Sequence, residues 1–241
     1  MNRPNEHLRS QSLRRAIFKG FVILVALLTN ACNRTSQVQT SPMETNMPQM
    51  TLLPTPFMDR GHSLEQTLRD RRSVRDFTDE PLSMDEISQL LWAAQGITDP
   101  RGYRTAPSAG ALYPIELYIV TAGGVFHYDP QDHSLTLVKD GDLREDLCKA
   151  ALNQEAVSEA PVIFIFTAVY ERVAVKYGSD RTPRYVHLEV GHAAQNVLLQ
   201  AVSLDLGAVP IGAFYDDQVQ SILDLPSDHE PLYLIPVGRP R

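Results

Sequence analysis

The sequence predicts an α+β domain running from about Ser63 to Arg241. Three observations carry that expectation. Helical patterns and a hairpin pattern come in runs, without the strict βαβ alternation of a doubly wound sheet. Val162–Val169 is an unbroken apolar stretch of strand length, as expected of a central strand covered on both faces. The first ~60 residues are not built to fold, which leaves roughly 180 residues, the size of one domain.

At the N-terminus, Arg3, Arg9, Arg14, Arg15 and Lys19 precede the apolar run Phe21-Val22-Ile23-Leu24-Val25-Ala26-Leu27-Leu28. The run is short for a bilayer span, which takes about 20 apolar residues. A basic stretch, a short apolar run and a small residue before a break describe an export signal over residues 1–32. The break, Leu28-Thr29-Asn30-Ala31-Cys32, resembles a bacterial lipobox, with Thr29 and Asn30 departing from its usual residues. That resemblance implies lipidation of Cys32 and attachment to the bacterial membrane on the periplasmic or cell-surface side. Leu13-Arg14-Arg15-Ala16-Ile17-Phe18-Lys19 resembles a twin-arginine motif, which suits a protein folded around a tightly held cofactor before export. An uncleaved membrane-anchoring helix is the alternative, and it places the domain on the same side. Residues 33–62 are rich in Ser, Thr, Gln, Asn and Pro, so a flexible tether is expected there.

Within the domain, Ser63-Leu64-Glu65-Gln66 and Ser83-Met84-Asp85-Glu86 both fit the capping box that opens a helix. After the second, Ile87, Leu90, Leu91 and Ala94 share a face, and Gly96 marks the stop. Ile115–Thr121 alternates as a strand does. Val125–Tyr128 and Leu135–Val138 flank the turn-rich Asp129-Pro130-Gln131-Asp132, a hairpin pattern. A short helix is expected near Leu143–Leu152, and the longest over Tyr185–Leu206 with Gly207 as its cap. The stripe Val190, Ala193, Ala194, Val197, Leu198, Ala201 and Val202 on that helix fits either a core or a dimer seam. Val209–Phe214, a helix near Asp216–Leu223 and the strand Leu232–Val237 complete the chain.

A net charge of −7 argues against a nucleic-acid surface, which needs a basic stripe. Two cysteines are too few for a disulfide framework, and Cys148 reads as a structural thiol on a helix. His187 and His192 sit about 140° apart around a helix, so they do not share a metal-binding face. Ser108 lacks the nucleophile elbow of a hydrolase. No metal site is expected.

Four segments carry chemistry. Arg71-Arg72-Ser73-Val74-Arg75 taken by itself reads first as a solvated basic face, and it also supplies charge-assisted donors for a phosphate dianion. Thr105-Ala106-Pro107-Ser108-Ala109-Gly110-Ala111-Leu112-Tyr113-Pro114 is either an ordinary loop or a run of small residues against which a flat ring can lie. In Pro210-Ile211-Gly212-Ala213-Phe214, Gly212 and Ala213 can offer backbone N–H groups unobstructed. Val237-Gly238-Arg239-Pro240-Arg241 adds cations.

In this order and spacing the segments resemble the nitroreductase superfamily, and within it the SagB-type, azoline-oxidase-like dehydrogenases. Tyr185, Glu189, Gly191-His192 and Ala194-Gln195-Asn196 fit as well, so the resemblance covers nearly the whole folded region. It implies a central, mainly antiparallel sheet flanked by helices, and a homodimer with FMN at its interface. Arg71, Arg72, Ser73, Arg75, Pro107, Ser108, Ala109, Gly110, Gly212, Ala213 and Arg239 are then the cofactor residues. The implied activity is transfer of hydride or electrons between flavin and a small-molecule or peptide-derived substrate, with an electron donor or acceptor as second partner. Many relatives bind the phosphate with cations from a C-terminal extension, a role that would fall here to Arg239 or Arg241. Lys176-Tyr177 resembles the pair that azoline oxidases use for proton removal, since a lysine desolvated beside aromatic surface serves as a general base. The other reading is a solvated Lys176 with Tyr177 packed beneath it. A lipid-tethered binding protein that keeps the fold without turnover is the alternative from another functional class.

Overall fold

The apolar stretch that begins at Val162 is an interior strand, fifth in the order of a seven-stranded sheet. The computed structural model describes residues 49–59 and 61–241. In chain order the elements are β1 (Met50–Leu52), α1 (Leu64–Asp70), α2 (Met84–Gln95), β2 (Ile115–Thr121), β3 (Gly124–Asp129) and β4 (Ser134–Asp140). They continue as α3 (Arg144–Ala150), α4 (Ala156–Glu159), β5 (Val162–Ala168), α5 (Glu171–Tyr177) and α6 (Thr182–Ser203). β6 (Gly207–Ala208), α7 (Asp216–Leu223) and β7 (Glu230–Gly238) complete the fold. The sheet order is β1-β4-β3-β2-β5-β7-β6, and every adjacent pair is antiparallel. The α+β class and the antiparallel sheet expected from the sequence are both present.

Side chains alternate across a strand, and β5 shows the consequence. Val162, Phe164 and Phe166 point to the layer made by α2 and α6, with Ile87, Leu90, Leu91, Val190, Ala193, Val197 and Ala201. Ile163 and Ile165 point to the layer made by α3, α4 and α7, with Leu147, Val157, Val219 and Leu223. All seven β5 residues are buried. Fully burying each such large side chain is worth about 1.5–3 kcal/mol. The small residues of the long helix therefore serve the core, because Ala193, Ala194 and Ala201 are covered within the single chain.

Local chemistry accounts for the ends. Ser83 and Glu86 form the complete capping box of α2, and Ser63 Oγ accepts from the Gln66 N–H at 3.2 Å. Cys148 is buried in α3, its thiol donating to the Gln154 carbonyl. The long helix starts three residues before the expected Tyr185, with Pro183 in its first turn, where a missing N–H costs nothing. It ends at Ser203, and Asp205 takes the left-handed turn (φ +58°) that the sequence assigned to Gly207. Leu204 and Leu206 continue the apolar pattern because they pack on the core, which hides the helix end from periodicity. Just past β6, the Val209–Phe214 segment keeps a single bridge from Ile211 to Leu234, since Pro210 has no N–H to continue the ladder.

The export segment 1–32, Cys32 and residues 33–48 of the expected tether lie outside the described residues. The remainder of that tether differs from expectation. Met50–Leu52 pairs with β4, and Leu53 is buried. The Pro54 carbonyl accepts from Ser88 Oγ at 2.6 Å, and His133 Nε2 lies 3.1 Å from it. An open sheet edge supplies backbone partners to Met50–Leu52, and Leu53 packs into the core beside it.

Candidate functional site

The arginine segment is placed by backbone pairing at the far edge of the sheet. Ser73 bridges Ala208 in parallel, and the Val74 N–H donates to the Ala208 carbonyl at 3.1 Å. Gly207 makes that approach possible: a Cβ there would sit 2.7 Å from Val74 Cβ. Farther along, the Thr78 N–H donates to Arg239 and the Arg241 N–H to Asp76. Ser73, Arg75 and the C-terminal segment thus share one edge. Arg71 and Arg75 pair with no carboxylate among the described residues. Arg72 turns back, its Nη1 donating to the carbonyls of Arg69 and Arg71, which closes the end of α1.

Arg239 is paired within the chain. Its guanidinium lies 2.6 Å from Glu80 and 3.0 Å from Glu86, so its charge is already answered. The capping box of α2 orients Glu86 toward it, a consequence of packing that no local pattern reveals.

Gly212 and Ala213 lie on the same edge, both exposed. Gly212 faces the Tyr233 ring, and Ile211 bridges Leu234. Ala208 pairs with Val237, so the two segments are four β7 residues apart, about 13 Å at ~3.3 Å per residue. That edge fits an elongated cofactor with a phosphate at the Arg71–Arg75 end and a planar ring toward Gly212. We expect Gly207→Ala to lower stability by about 1–3 kcal/mol through overpacking against Val74. Val74→Ala in that background should recover most of the loss in urea unfolding. An unchanged midpoint for the single variant would show that the segment yields freely.

The second group lies at the other end of β5. Pro107 is exposed and Ser108 half-buried, and the Tyr113 N–H donates to Ser108 Oγ at 2.9 Å. Gly110, Ala111 and Tyr113 all have positive φ (+66°, +55° and +47°), a costly path for residues bearing a Cβ. A Cβ on Gly110 would lie 2.7 Å from Lys176 Nζ and 3.0 Å from the Tyr177 hydroxyl. The structure therefore joins the Pro107–Gly110 motif to the Lys176-Tyr177 pair, 66 residues away in sequence for Gly110 and Lys176. The Tyr177 and Tyr185 rings pack at a tilt of 49° with centroids 4.6 Å apart. Lys176 itself is exposed in the single chain, because it sits in the last turn of a short surface helix.

Behind this loop is a charged network of which the sequence had singled out only Glu189. Arg104 stacks on the Tyr113 ring at 4.4 Å and donates to Gln95 Oε1 at 2.8 Å. Arg172 donates to the Tyr113 carbonyl at 3.1 Å and pairs with Glu116, whose other oxygen lies 2.6 Å from His127 Nε2. Burial would raise the Glu116 carboxyl, but the bonds from His127 and Arg172 outweigh it and hold it at about 2. Glu189 is 2% exposed, and burial raises its carboxyl to about 7, against the Ser108 hydrogen bond and the charge of Arg104. A carboxylate on the apolar stripe of a helix, between Val186 and Val190, was the signal available for Glu189. Arg104 and Arg172 had none.

The antiparallel α+β fold is one that solved structures share. A crystal structure of a Ralstonia eutropha protein described as a nitroreductase superposes with a TM-score of 0.72 at 30% identity, covering 81% of this chain and 95% of that one. A Methanocaldococcus jannaschii protein whose name assigns it to the nitroreductases is 47% identical over 182 residues, 73% of this chain and 90% of its own length. The FMN reductase (NAD(P)H) of Bacillus subtilis is 25% identical over 191 residues, and the match spans 65% of that protein. The Nitroreductase family matches residues 68–239. The chain belongs to that family.

Proposed function

We propose that the chain is an FMN-dependent oxidoreductase of the SagB type, passing hydride or electrons between a small-molecule or peptide-derived substrate and the flavin. The observation that carries this reading is Gly110 seated against Lys176 and Tyr177, where a backbone free of side chain meets an amine and a phenol. Arg71, Ser73 and Arg75 would hold the phosphate, with Arg239 bracing the segment and making no contact of its own. Gly212 and Ala213 would offer N–H donors to the ring of one subunit's cofactor, and Pro107, Ser108, Ala109 and Gly110 a flat wall. Bound FMN supplies hydride and electron chemistry at its ring. Lys176 Nζ as the free amine, or the Tyr177 oxygen as phenolate, would accept the proton that the substrate loses.

The same proposal includes a homodimer. Leu64 and Leu68 are exposed four residues apart on α1, as are Val175 on α5 and Leu188 on α6. Surface of this kind is what a subunit interface covers. A second subunit over Val175 would also desolvate the neighbouring Lys176. Export and lipid attachment through Cys32 complete the proposal.

One preparation tests it: the full chain, isolated from the membrane fraction, with its visible spectrum recorded and its cofactor identified after denaturation. About one FMN per chain is expected, as for a resident cofactor. Absence of flavin even after incubation with excess FMN would overturn the reading.

A further inference from the structure

We propose that Tyr113 is a positioning residue: it ties the 104–113 segment to α5 and so sets Gly110 against Lys176 and Tyr177. The catalytic consequence rests on the function proposed above; the structural consequence does not.

Tyr113 is held at each of its polar groups and by its ring. Its N–H donates to Ser108 Oγ at 2.9 Å, closing the turn that contains Ala109, Gly110, Ala111 and Leu112. Its hydroxyl accepts the Arg104 N–H at 3.3 Å, and the Arg104 guanidinium lies over its ring, 4.4 Å from the centroid. A cation so close to an aromatic face is attracted by the negative face of the ring. The Tyr113 carbonyl accepts from Arg172 Nη1 at 3.1 Å. With φ of +47°, Tyr113 adopts a conformation that a residue bearing a Cβ keeps only where its surroundings over-determine it. These contacts supply that constraint.

Each hold runs to a fixed part of the fold. Arg104 bridges Ile97, and the Thr105 N–H donates to the Gly96 carbonyl, so the start of the segment is paired to the chain leaving α2. Gln95, 1% exposed at the end of α2, aims the guanidinium, its Oε1 accepting from Arg104 Nη1 at 2.8 Å. On the other side, Glu116 on β2 pairs with Arg172. Arg172 stands four residues before Lys176 on α5, so the two share a helix face. The Pro114 carbonyl accepts the Val169 N–H at 2.8 Å, which fastens the exit of the segment at the end of β5. Tyr113 therefore joins the turn that carries Gly110 to the helix that carries Lys176 and Tyr177. Loss of its ring lets the turn relax its positive φ angles, and Gly110 shifts relative to the pair. A misplacement of about 1 Å beside reacting atoms can cost ~10²-fold in rate.

The test uses the full chain with its bound FMN and an azoline-bearing peptide as reductant. Tyr113→Ala is expected to slow flavin reduction, per bound FMN, by about 10- to 100-fold. Tyr113→Phe keeps the ring under Arg104 and should stay within about three-fold of the parent. In a Lys176→Met/Tyr177→Phe background, Tyr113→Ala should cost less than about two-fold, because a residue acting through the pair has nothing left to position. An equal cost in both backgrounds, or Tyr113→Phe as slow as Tyr113→Ala, would overturn the proposal. Amide exchange supplies an arm that needs no flavin and leaves Tyr113 in place. The N–H groups of Ala111 and Tyr113 both bond to Ser108, and in Arg104→Met they should exchange about five-fold or more faster than in the parent. Parent-like protection there would equally overturn it. If the chain holds no FMN, or the peptide does not reduce it, the functional reading fails and amide exchange alone decides the role of Tyr113.

Discussion

Arg172→Ala is expected to destabilise the fold by about 2–3 kcal/mol at neutral pH. Breaking a fully buried pair costs about 3–5 kcal/mol because the surviving charge is stranded. Glu116 approaches that limit with a side chain 15% exposed, but Arg172 is 40% exposed, and water screens part of the loss. The variant also removes a donor from the Tyr113 carbonyl, in the strained turn. For a domain of this size the midpoint of thermal unfolding should fall by roughly 5–10 °C.

The acid dependence follows from the same pair. The Glu116 carboxyl is held at about 2 in the folded chain, below its ordinary value of 4.5. Between those values the unfolded chain binds the proton and the folded one does not, so stability rises with pH across that window. The contribution is complete above about pH 4.5 and is lost as pH falls toward 2. Arg172→Ala should flatten that window, and adding Glu116→Gln should recover part of the neutral-pH loss by removing the stranded charge. Unfolding by urea at both ends of the window checks this. A single variant as stable as the parent at neutral pH would show that His127 and solvent suffice for Glu116.

Lys176→Met is expected to slow the proton-coupled reduction of the flavin by about 10²–10⁴-fold while leaving FMN content unchanged. Methionine keeps much of the length of the side chain and removes its proton acceptor. The Nζ lies beside the position a Gly110 side chain would take, and 5.6 Å from the Tyr177 ring centroid. Tyr177→Phe, which keeps the ring packed against Tyr185 and removes only the hydroxyl, tells the two candidates apart. If the phenol takes the proton, Tyr177→Phe carries the loss and Lys176→Met is mild. Single-turnover reduction with an azoline-bearing peptide, and separately with NAD(P)H, makes the measurement. Equal rates in the parent and both variants would remove the pair from the mechanism.

The elements that follow from local physics were legible in the sequence. Ile115–Thr121, Asp216–Leu223, the buried run from Val162 and the capping box at Ser83 depend on alternation, helical spacing or a side chain reaching three residues along. The arginine, Pro107–Gly110, Lys176-Tyr177 and Gly212-Ala213 segments could be picked out as residue types suited to a phosphate and a flat ring. Their grouping could not. That Ser73 meets Ala208, that Gly110 meets Lys176, and that Arg239 is taken by Glu80 and Glu86 are contacts between segments far apart in the chain, fixed by sheet register and helix packing. β1 escaped notice for the same reason, because its order comes from the edge of β4 and not from its own composition. Glu189 is the sharpest instance. Its place on an apolar stripe was visible, but burial by the tertiary fold decides whether that carboxyl is a solvated charge or a group that titrates near neutrality.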